Sequence, residues 1–335
     1  MKILHFCAGL EPWNGMANTA RQFVTEELAR GDDSALTNNP VDVEDGVDVV
    51  VIHGAWLPVL WKVAKMAKTV GAKLYIRPAG SYDPVRLAYH GWKKKLVSFC
   101  EHRMLRRADV VLATCKAEEE WIRAYEPKVR KIEITDLKRF FNLPPNGEMG
   151  RLPISSPVHL LYLGRKHPLK GIGYLEEAVK GMPDVELRIV SDAKGDALER
   201  VWQWCEILVL PTLSENFGRV IAEALERGKR VITTDGAPAW GGDLKFPVSS
   251  LEFRVSSLGE GKDSRVEHVE RVEEGGINSR VERVERVEGD ELAIRVGYGG
   301  RLLYLVGYRN GTNETRVSLL KSAIEGVFRL RQQNA

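Results

Sequence analysis

Short runs of β-branched and apolar residues alternate with longer stretches in which apolar positions recur at helical spacing, the pattern of parallel strands joined by crossover helices. Residues 2–7 (KILHFC) predict the first strand, and 47–52, 73–76, 110–113 and 131–134 predict further ones. Between them, 18–30 places Ala20, Phe23, Val24 and Leu28 on one helical face before Gly31 closes it, and further helices are predicted near 59–70, 92–107 and 117–125. Residues 1–140 therefore read as one doubly wound, Rossmann-like domain. The stretch 141–157, FNLPPNGEMGRLPISSP, is rich in Pro, Gly and Ser without periodicity and reads as a linker. A second series follows, with strands at 159–163, 186–190, 207–210 and 230–234 and helices starting near Gly171, Asp196 and Phe217, so 158–312 reads as a second such domain. The expected class is α/β, with two Rossmann-like domains facing across a cleft at the carboxyl ends of their strands, where ligands of such folds bind.

The pattern breaks at 249–291, where an Arg/His-Val-Glu triplet recurs from Arg265 and again from Arg280 around a Gly-Gly spacer. Valines every three residues drift around a helix instead of forming a stripe, so a low-complexity insertion, disordered or loosely helical, is expected, with an interaction arm as the sharper alternative. Residues 301–306 resume as a strand. Residues 316–331 then form an amphipathic helix carrying Val317, Leu320, Ile324, Val327 and Phe328, and this closing segment, 313–335, is expected to pack near the interdomain region.

Composition narrows the class further. With 335 residues, 44% hydrophobic and 28% charged, the chain suits a soluble protein with two cores. Its apolar stretches fall short of the ~20 residues that span a bilayer, and the N-terminus lacks a small-residue cleavage site, so a cytoplasmic protein is expected. A net charge of +3 is too small to point to nucleic acid. Cys7, Cys100, Cys115 and Cys205 are far apart and form no CxxC pair, so neither zinc nor redox work is expected of them.

The chemistry concentrates in PTLSENFGRVIAEAL, residues 211–225, directly after a buried strand. Glu215 and Glu223 are separated by seven residues, and Asn216, Phe217 and Gly218 form a turn that opens a helix after the first carboxylate. Backbone N–H groups around Phe217 and Gly218 make a nest for an anion or hydroxyl. Glu223, two turns along, can meet a diol such as a ribose, while Glu215 can hold sugar hydroxyls. A Glu on a helix is usually just solvated; the turn, the spacing and the basic motif LGRKHPLKG at 163–171 together favour a site.

These motifs resemble family 4 of the retaining glycosyltransferases, whose donor site carries Glu, seven residues, Glu in a Ser-Glu-Asn-Phe-Gly context. The resemblance implies a GT-B fold and a nucleoside-diphosphate sugar donor, a UDP-sugar before a GDP-sugar. It also implies a glycan or glycolipid acceptor in cell-surface polysaccharide synthesis, with no metal and no cofactor. It assigns Arg165 and Lys170 to the donor diphosphate, which gains charge as the glycosidic bond breaks, Glu215 to the sugar and Glu223 to the ribose. It implies no dedicated base, since the leaving phosphate oxygen takes the acceptor proton.

Candidates in the first domain are weaker. Gly15, in the loop after the first strand, approaches phosphate or acceptor by resemblance, against a plain strand-to-helix turn. His53 in IHGAW is equally a substrate-binding residue or a satisfied strand-end histidine. In the loop RPAGSYDP, relatives often carry a His where this chain has Ala79, which leaves Arg77, Ser81 and Asp83 as alternative cleft residues. The basic helix 92–107 reads first as a packed helix with a solvated face, and second as a contact with an anionic membrane at its inner face. Two other functions fit the fold. One is a nucleotide-sugar 2-epimerase, against which the Ser-Glu-Asn-Phe-Gly context argues; the other is a non-catalytic sugar-binding subunit, favoured by Ala79 and the charged repeat.

Overall fold

The computed structural model describes residues 1–12, 14–143, 156–241, 279–287, 291–298, 301–306 and 312–332. It divides into two compact units, Met1–Phe140 with Pro238–Gly242, and Phe141–Ala237 with Asp243–Ala335.

The first unit runs β1 (Lys2–Cys7), α1 (Gly15–Ala29), β2 (Asp33–Thr37), β3 (Val49–His53), α2 (Pro58–Thr69), β4 (Lys73–Arg77), α3 (Pro84–Ala88), α4 (Gly91–Arg107), β5 (Val110–Ala113), α5 (Lys116–Tyr125) and β6 (Ile132–Ile134). Its six strands are parallel in the order β2-β1-β3-β4-β5-β6. Every residue of β3, VVVIH, is buried, as expected of a strand covered on both faces. Phe6, Ile52, Leu60, Leu74, Ile76 and Val111 lie at the centre of the core. The sequence pattern passed over β2 because its buried positions are Ser34 and Thr37, which give no apolar alternation, and it pairs only with β1 at the sheet edge. Helix α1 starts three residues before the expected 18. Asn14 makes this possible, its side-chain oxygen accepting from the N–H groups of Met16 at 3.0 Å and Ala17 at 3.4 Å.

The second unit contains β7 (Val158–Leu163), α6 (Ile172–Ala178), β8 (Val185–Val190), α7 (Gly195–Trp204), β9 (Ile207–Leu210), α8 (Arg219–Glu226) and β10 (Arg230–Thr234). The chain then gives a short helix, α9 (Pro238–Gly241), to the first unit and continues through β11 (Ser279–Val287), β12 (Glu291–Tyr298), β13 (Arg301–Val306) and α10 (Asn313–Gln332). The sheet order is β11-β12-β13-β10-β9-β7-β8, with β12 antiparallel to both β11 and β13. This corrects the reading of 249–291 in part: Ser279–Val287 is an edge strand, not disordered or loosely helical chain. Its charged triplets suit that place, since edges are commonly guarded by charge, and pairing with β12 supplies the order that its own periodicity lacks. Residues 249–278 and 288–290 lie outside the described residues. Helix α10 packs on α6, where Tyr174 donates to Asn313 at 2.8 Å and the Arg316 guanidinium lies over the Tyr174 ring.

Strand order reverses between β1 and β3 in the first sheet and between β7 and β9 in the second. Open α/β sheets bind ligands beyond the carboxyl ends of the strands at such points, so the loops leaving these four strands are where chemistry is to be sought.

Candidate functional site

In the second unit the two loops at the switch point are tied to each other. After β7 the chain turns at Gly164, φ +152°, and forms a single 3₁₀ turn at Pro168–Lys170. After β9, the Leu213 N–H and the Thr212 hydroxyl both donate to the Leu169 carbonyl, at 2.8 and 3.1 Å. This stitching brings the Lys170 ammonium into an ion pair with the Glu215 carboxylate, their side chains 14% and 18% exposed. The Glu215 N–H donates to the Gly236 carbonyl at 2.7 Å, so a third loop, after β10, holds the same residue. Only glycine fits at 236, because a Cβ there would lie 2.1 Å from the Thr212 carbonyl oxygen. Gly218 caps α8 with φ +66°, a left-handed conformation that side chains resist.

Asn216 and Phe217 are buried within this turn, and Phe217 packs near Phe141, their ring centroids 5.8 Å apart. The helix begins at Arg219, after the turn. Glu223 is part-buried with the Arg219 guanidinium 3.9 Å away. Burial pushes its carboxyl above the usual range, with Arg219 and Arg227 pulling the other way. Arg165 has its carbonyl held by the Tyr162 hydroxyl at 2.9 Å, but its side chain is exposed and outside the Lys170–Glu215 pair. The sequence reading gave Lys170 and Glu215 separate partners; in this structure they hold each other. It missed Gly236 and Arg219. The TTDGAP turn after β10 and the Arg one turn before Glu223 were the available signals.

The first unit is built differently. Cys7, His53 and Arg77 are lateral neighbours at the ends of β1, β3 and β4. His53 Nε2 lies 2.8 Å from His5 Nδ1, and His5 Nε2 lies 2.8 Å from Glu27, which also accepts from the Ser34 hydroxyl at 2.7 Å. Burial works against ionising Glu27, but the hydrogen bonds from His5 and Ser34 win and hold its carboxyl below the usual range. Burial, aided by His5 and Arg77, holds the His53 imidazole well below its usual value. The carboxylate therefore accepts a hydrogen bond from His5 Nε2–H, and when each ring carries one proton His53 Nε2 donates to His5 Nδ1. His53 is thus a bonded strand-end histidine on one side of its ring. His5 and Glu27 escaped the sequence reading because nothing in their spacing predicts that they meet.

The other first-unit candidates have local duties. Gly15 is the exposed first residue of α1. Asp83 is buried and caps α3 by accepting from the Val85 N–H at 2.9 Å, and the Ser81 hydroxyl donates to the Pro78 carbonyl at 2.6 Å. Arg77 is buried beside Cys7 and His53. Ala79 adopts a left-handed φ of +52°, and Glu118 fixes the loop by accepting from the N–H groups of Gly80 at 2.5 Å and Thr114 at 2.7 Å.

Residues 15–135 match the family model described as glycosyl transferase 4-like domain. Sucrose-phosphate synthase from Thermosynechococcus elongatus is similar at TM-score 0.52 and 18% identity, over 69% of this chain and 80% of that one. Anabaena HepE, in complex with UDP and glucose, is similar at TM-score 0.48 and 15% identity, over 72% of this chain and 82% of that one. The lipopolysaccharide outer core galactosyltransferase WaaB is similar at TM-score 0.44 and 15% identity, over 70% and 81%. No curated protein matches the chain in sequence. The chain shares with the synthase the fold of two Rossmann-like units, and the family match covers most of the first of them. Among the described residues, no helix is long and apolar enough to cross a membrane.

Proposed function

We propose that this chain is a retaining glycosyltransferase that moves a sugar from a nucleoside-diphosphate sugar, a UDP-sugar before a GDP-sugar, to a glycan or glycolipid acceptor in cell-surface polysaccharide synthesis at the cytoplasmic side. The observation that carries this reading is the part-buried Lys170–Glu215 pair, held by three strand-end loops at the switch point of the second sheet. A charged pair in that place is poised to exchange partners. With donor bound, the Lys170 ammonium turns to the diphosphate, joined by the exposed Arg165, and the released Glu215 carboxylate accepts from hydroxyls of the transferred sugar. Glu223 accepts from the ribose hydroxyls, and the N–H groups of the 216–218 turn complete the cradle. As the bond from anomeric carbon to phosphate oxygen breaks, negative charge grows on the leaving diphosphate, where the two cations stabilise it most. That oxygen takes the acceptor's proton on the same face. Protein groups position and stabilise, and none serves as base.

A thermal-shift panel of UDP, GDP, ADP and UDP-sugars tests the reading, since a ligand at 100 times its Kd adds about 2.7 kcal/mol of stability. UDP and its sugars are expected to raise Tm, Glu223→Ala to weaken nucleotide binding, and Glu215→Ala to spare free nucleotide while slowing donor turnover about a hundredfold. Unchanged nucleotide affinity in Glu223→Ala removes the ribose assignment. Conversion of UDP-N-acetylglucosamine without acceptor would make the protein an epimerase, and binding without turnover a sugar-binding subunit.

A further inference from the structure

The two sheets have four edges, and among the described residues three of them are guarded against pairing with another chain. Strand β2 is the polar DSALT, β6 is only three residues long, and β11 carries repeated Arg and Glu in SRVERVERV. The fourth edge is β8, VELRIV, with Val, Leu, Ile and Val beside one Glu and one Arg. A strand so apolar belongs inside a sheet, where ILVL of β9 is fully buried. In β8, Val185, Leu187, Ile189 and Val190 are only half-buried, and among the described residues the strand pairs with β7 alone.

The pairing with β7 decides what this edge presents. The Val158 N–H donates to the Asp184 carbonyl at 2.8 Å and the Gly164 N–H to the Val190 carbonyl at 2.9 Å, so the even-numbered residues of β8 turn their peptide groups toward β7. The N–H and carbonyl groups of Leu187 and Ile189 and the Val185 carbonyl therefore face outward, while the Val185 N–H donates to the Met182 carbonyl at 3.3 Å. Glu186 and Arg188 share one face of the sheet, paired at 3.0 Å, and the guanidinium lies 3.9 Å from the centre of the Trp204 ring.

We infer that β8 is the interface of a homodimer, two copies pairing antiparallel through this edge about a two-fold axis at Leu187. The outward groups then make Leu187 and its own copy one hydrogen-bonded pair, and Val185 and Ile189 of the second copy another. Charge selects this register among those that the outward groups allow. It sets Glu186 opposite Arg188 of the second copy, twice by symmetry, at the sites where facing side chains come closest. A slip by two residues either way would set Glu186 against Glu186 or Arg188 against Arg188. The edge is thus its own complement in hydrogen bonding, apolar contact and charge, which is why a second copy is its occupant.

Sedimentation equilibrium of the full chain tests this without donor or acceptor. A dimer is expected at concentrations up to about 100 µM, the range of a small interface. Glu186→Arg and Arg188→Glu each set like charges opposite one another and should raise the dimer Kd at least about tenfold. An equimolar mixture of the two variants should dimerise again, since one edge is then wholly positive and the other wholly negative. Both side chains are about half exposed, so each variant should keep its fold, and recovery in the mixture shows that it does. A second readout leaves these charges untouched. In a Cys100→Ser background, Leu187→Cys should oxidise to a covalent dimer, its Cα about 5.5 Å from its own copy, whereas Ile189→Cys should not, because it faces Val185. A monomer at about 100 µM overturns the inference and leaves the edge to a different chain. So does a mixture that stays monomeric, or equal cross-linking at 187 and 189. The inference does not depend on the transferase reading, whose failure would appear in the nucleotide panel.

Discussion

Both units end their strands in buried polar groups beside a reversal of strand order, yet they satisfy those groups in opposite ways. In the first unit Glu27, His5 and His53 form a chain sealed from solvent, each link short and each ring nearly inaccessible. In the second, Lys170 and Glu215 form one ion pair that water still reaches, and the loops carrying it are fixed through their backbones. Groups already committed to buried partners are costly to redirect, because each abandoned partner loses its hydrogen bond in a low-dielectric interior. An ion pair that water still reaches is easier to redirect, since a charged ligand can take the place of the partner that each side chain gives up. The same topology therefore gives one strand end fixed by buried partners and one left within reach of a charged ligand, and we propose the second as the donor end.

The contrast breaks first at the ion pair. Lys170→Ala and Glu215→Ala should each slow donor consumption by about a hundredfold, the scale of losing one preorganised electrostatic group, with a lowered Tm because each leaves a largely buried charge without this partner. If the two side chains exchange partners on donor binding, the double variant should lose much less than the two single losses combined, and steady-state rates of all four proteins decide it. Independent, fully additive losses would mean that the pair does not act as a unit.

Of similar size is the effect of Gly236→Ala. The added Cβ meets the Thr212 carbonyl at 2.1 Å, so the backbone of the 212–215 loop must move at a cost of about 3 kcal/mol. Denaturant melts should show this loss together with weakened donor turnover, whereas a silent substitution would show that the loop yields freely.

The sealed network gives a pH-dependent test. Glu27 has its carboxyl held below the ordinary value of 4.5, so the stability it contributes is present above that pH and is lost as pH falls through the depressed value. Glu27→Gln should cost about 2 kcal/mol at neutral pH, and the gap from wild type should close in acid. A gap that stays constant down to the acid transition would show that the carboxylate charge is not what His5 needs.

Arg165→Ala should have the smallest effect. Its side chain is exposed, so stability should move by no more than about 0.5 kcal/mol, and a loss of turnover below that of Lys170→Ala is expected in the same assay. A larger loss would move the centre of the diphosphate site toward Arg165.

Much of this was legible along the chain, because alternation of apolar runs and helical stripes is a local property and burial on both faces writes itself as continuous apolar strands such as VVVIH and ILVL. The Ser-Glu-Asn-Phe-Gly turn was legible for the same reason, as a glycine at positive φ opening a helix is a few-residue event. What fails locally is any feature that depends on a neighbour brought from afar. Strand β2 exists by pairing with β1, and β11 by pairing with β12. Glycine at 236 answers to the carbonyl of Thr212, and His5 answers to Glu27, 22 residues on. Helix α4 shows the limit most plainly. Its sequence determines that a helix with an apolar stripe and many cations forms here, but which face turns inward was decided by its surroundings: Tyr82, Trp61 and the Trp56 N–H supply three donors that offset part of the cost of burying Glu101, whose carboxyl burial still pushes up, while tryptophan, leucine and phenylalanine stay outside.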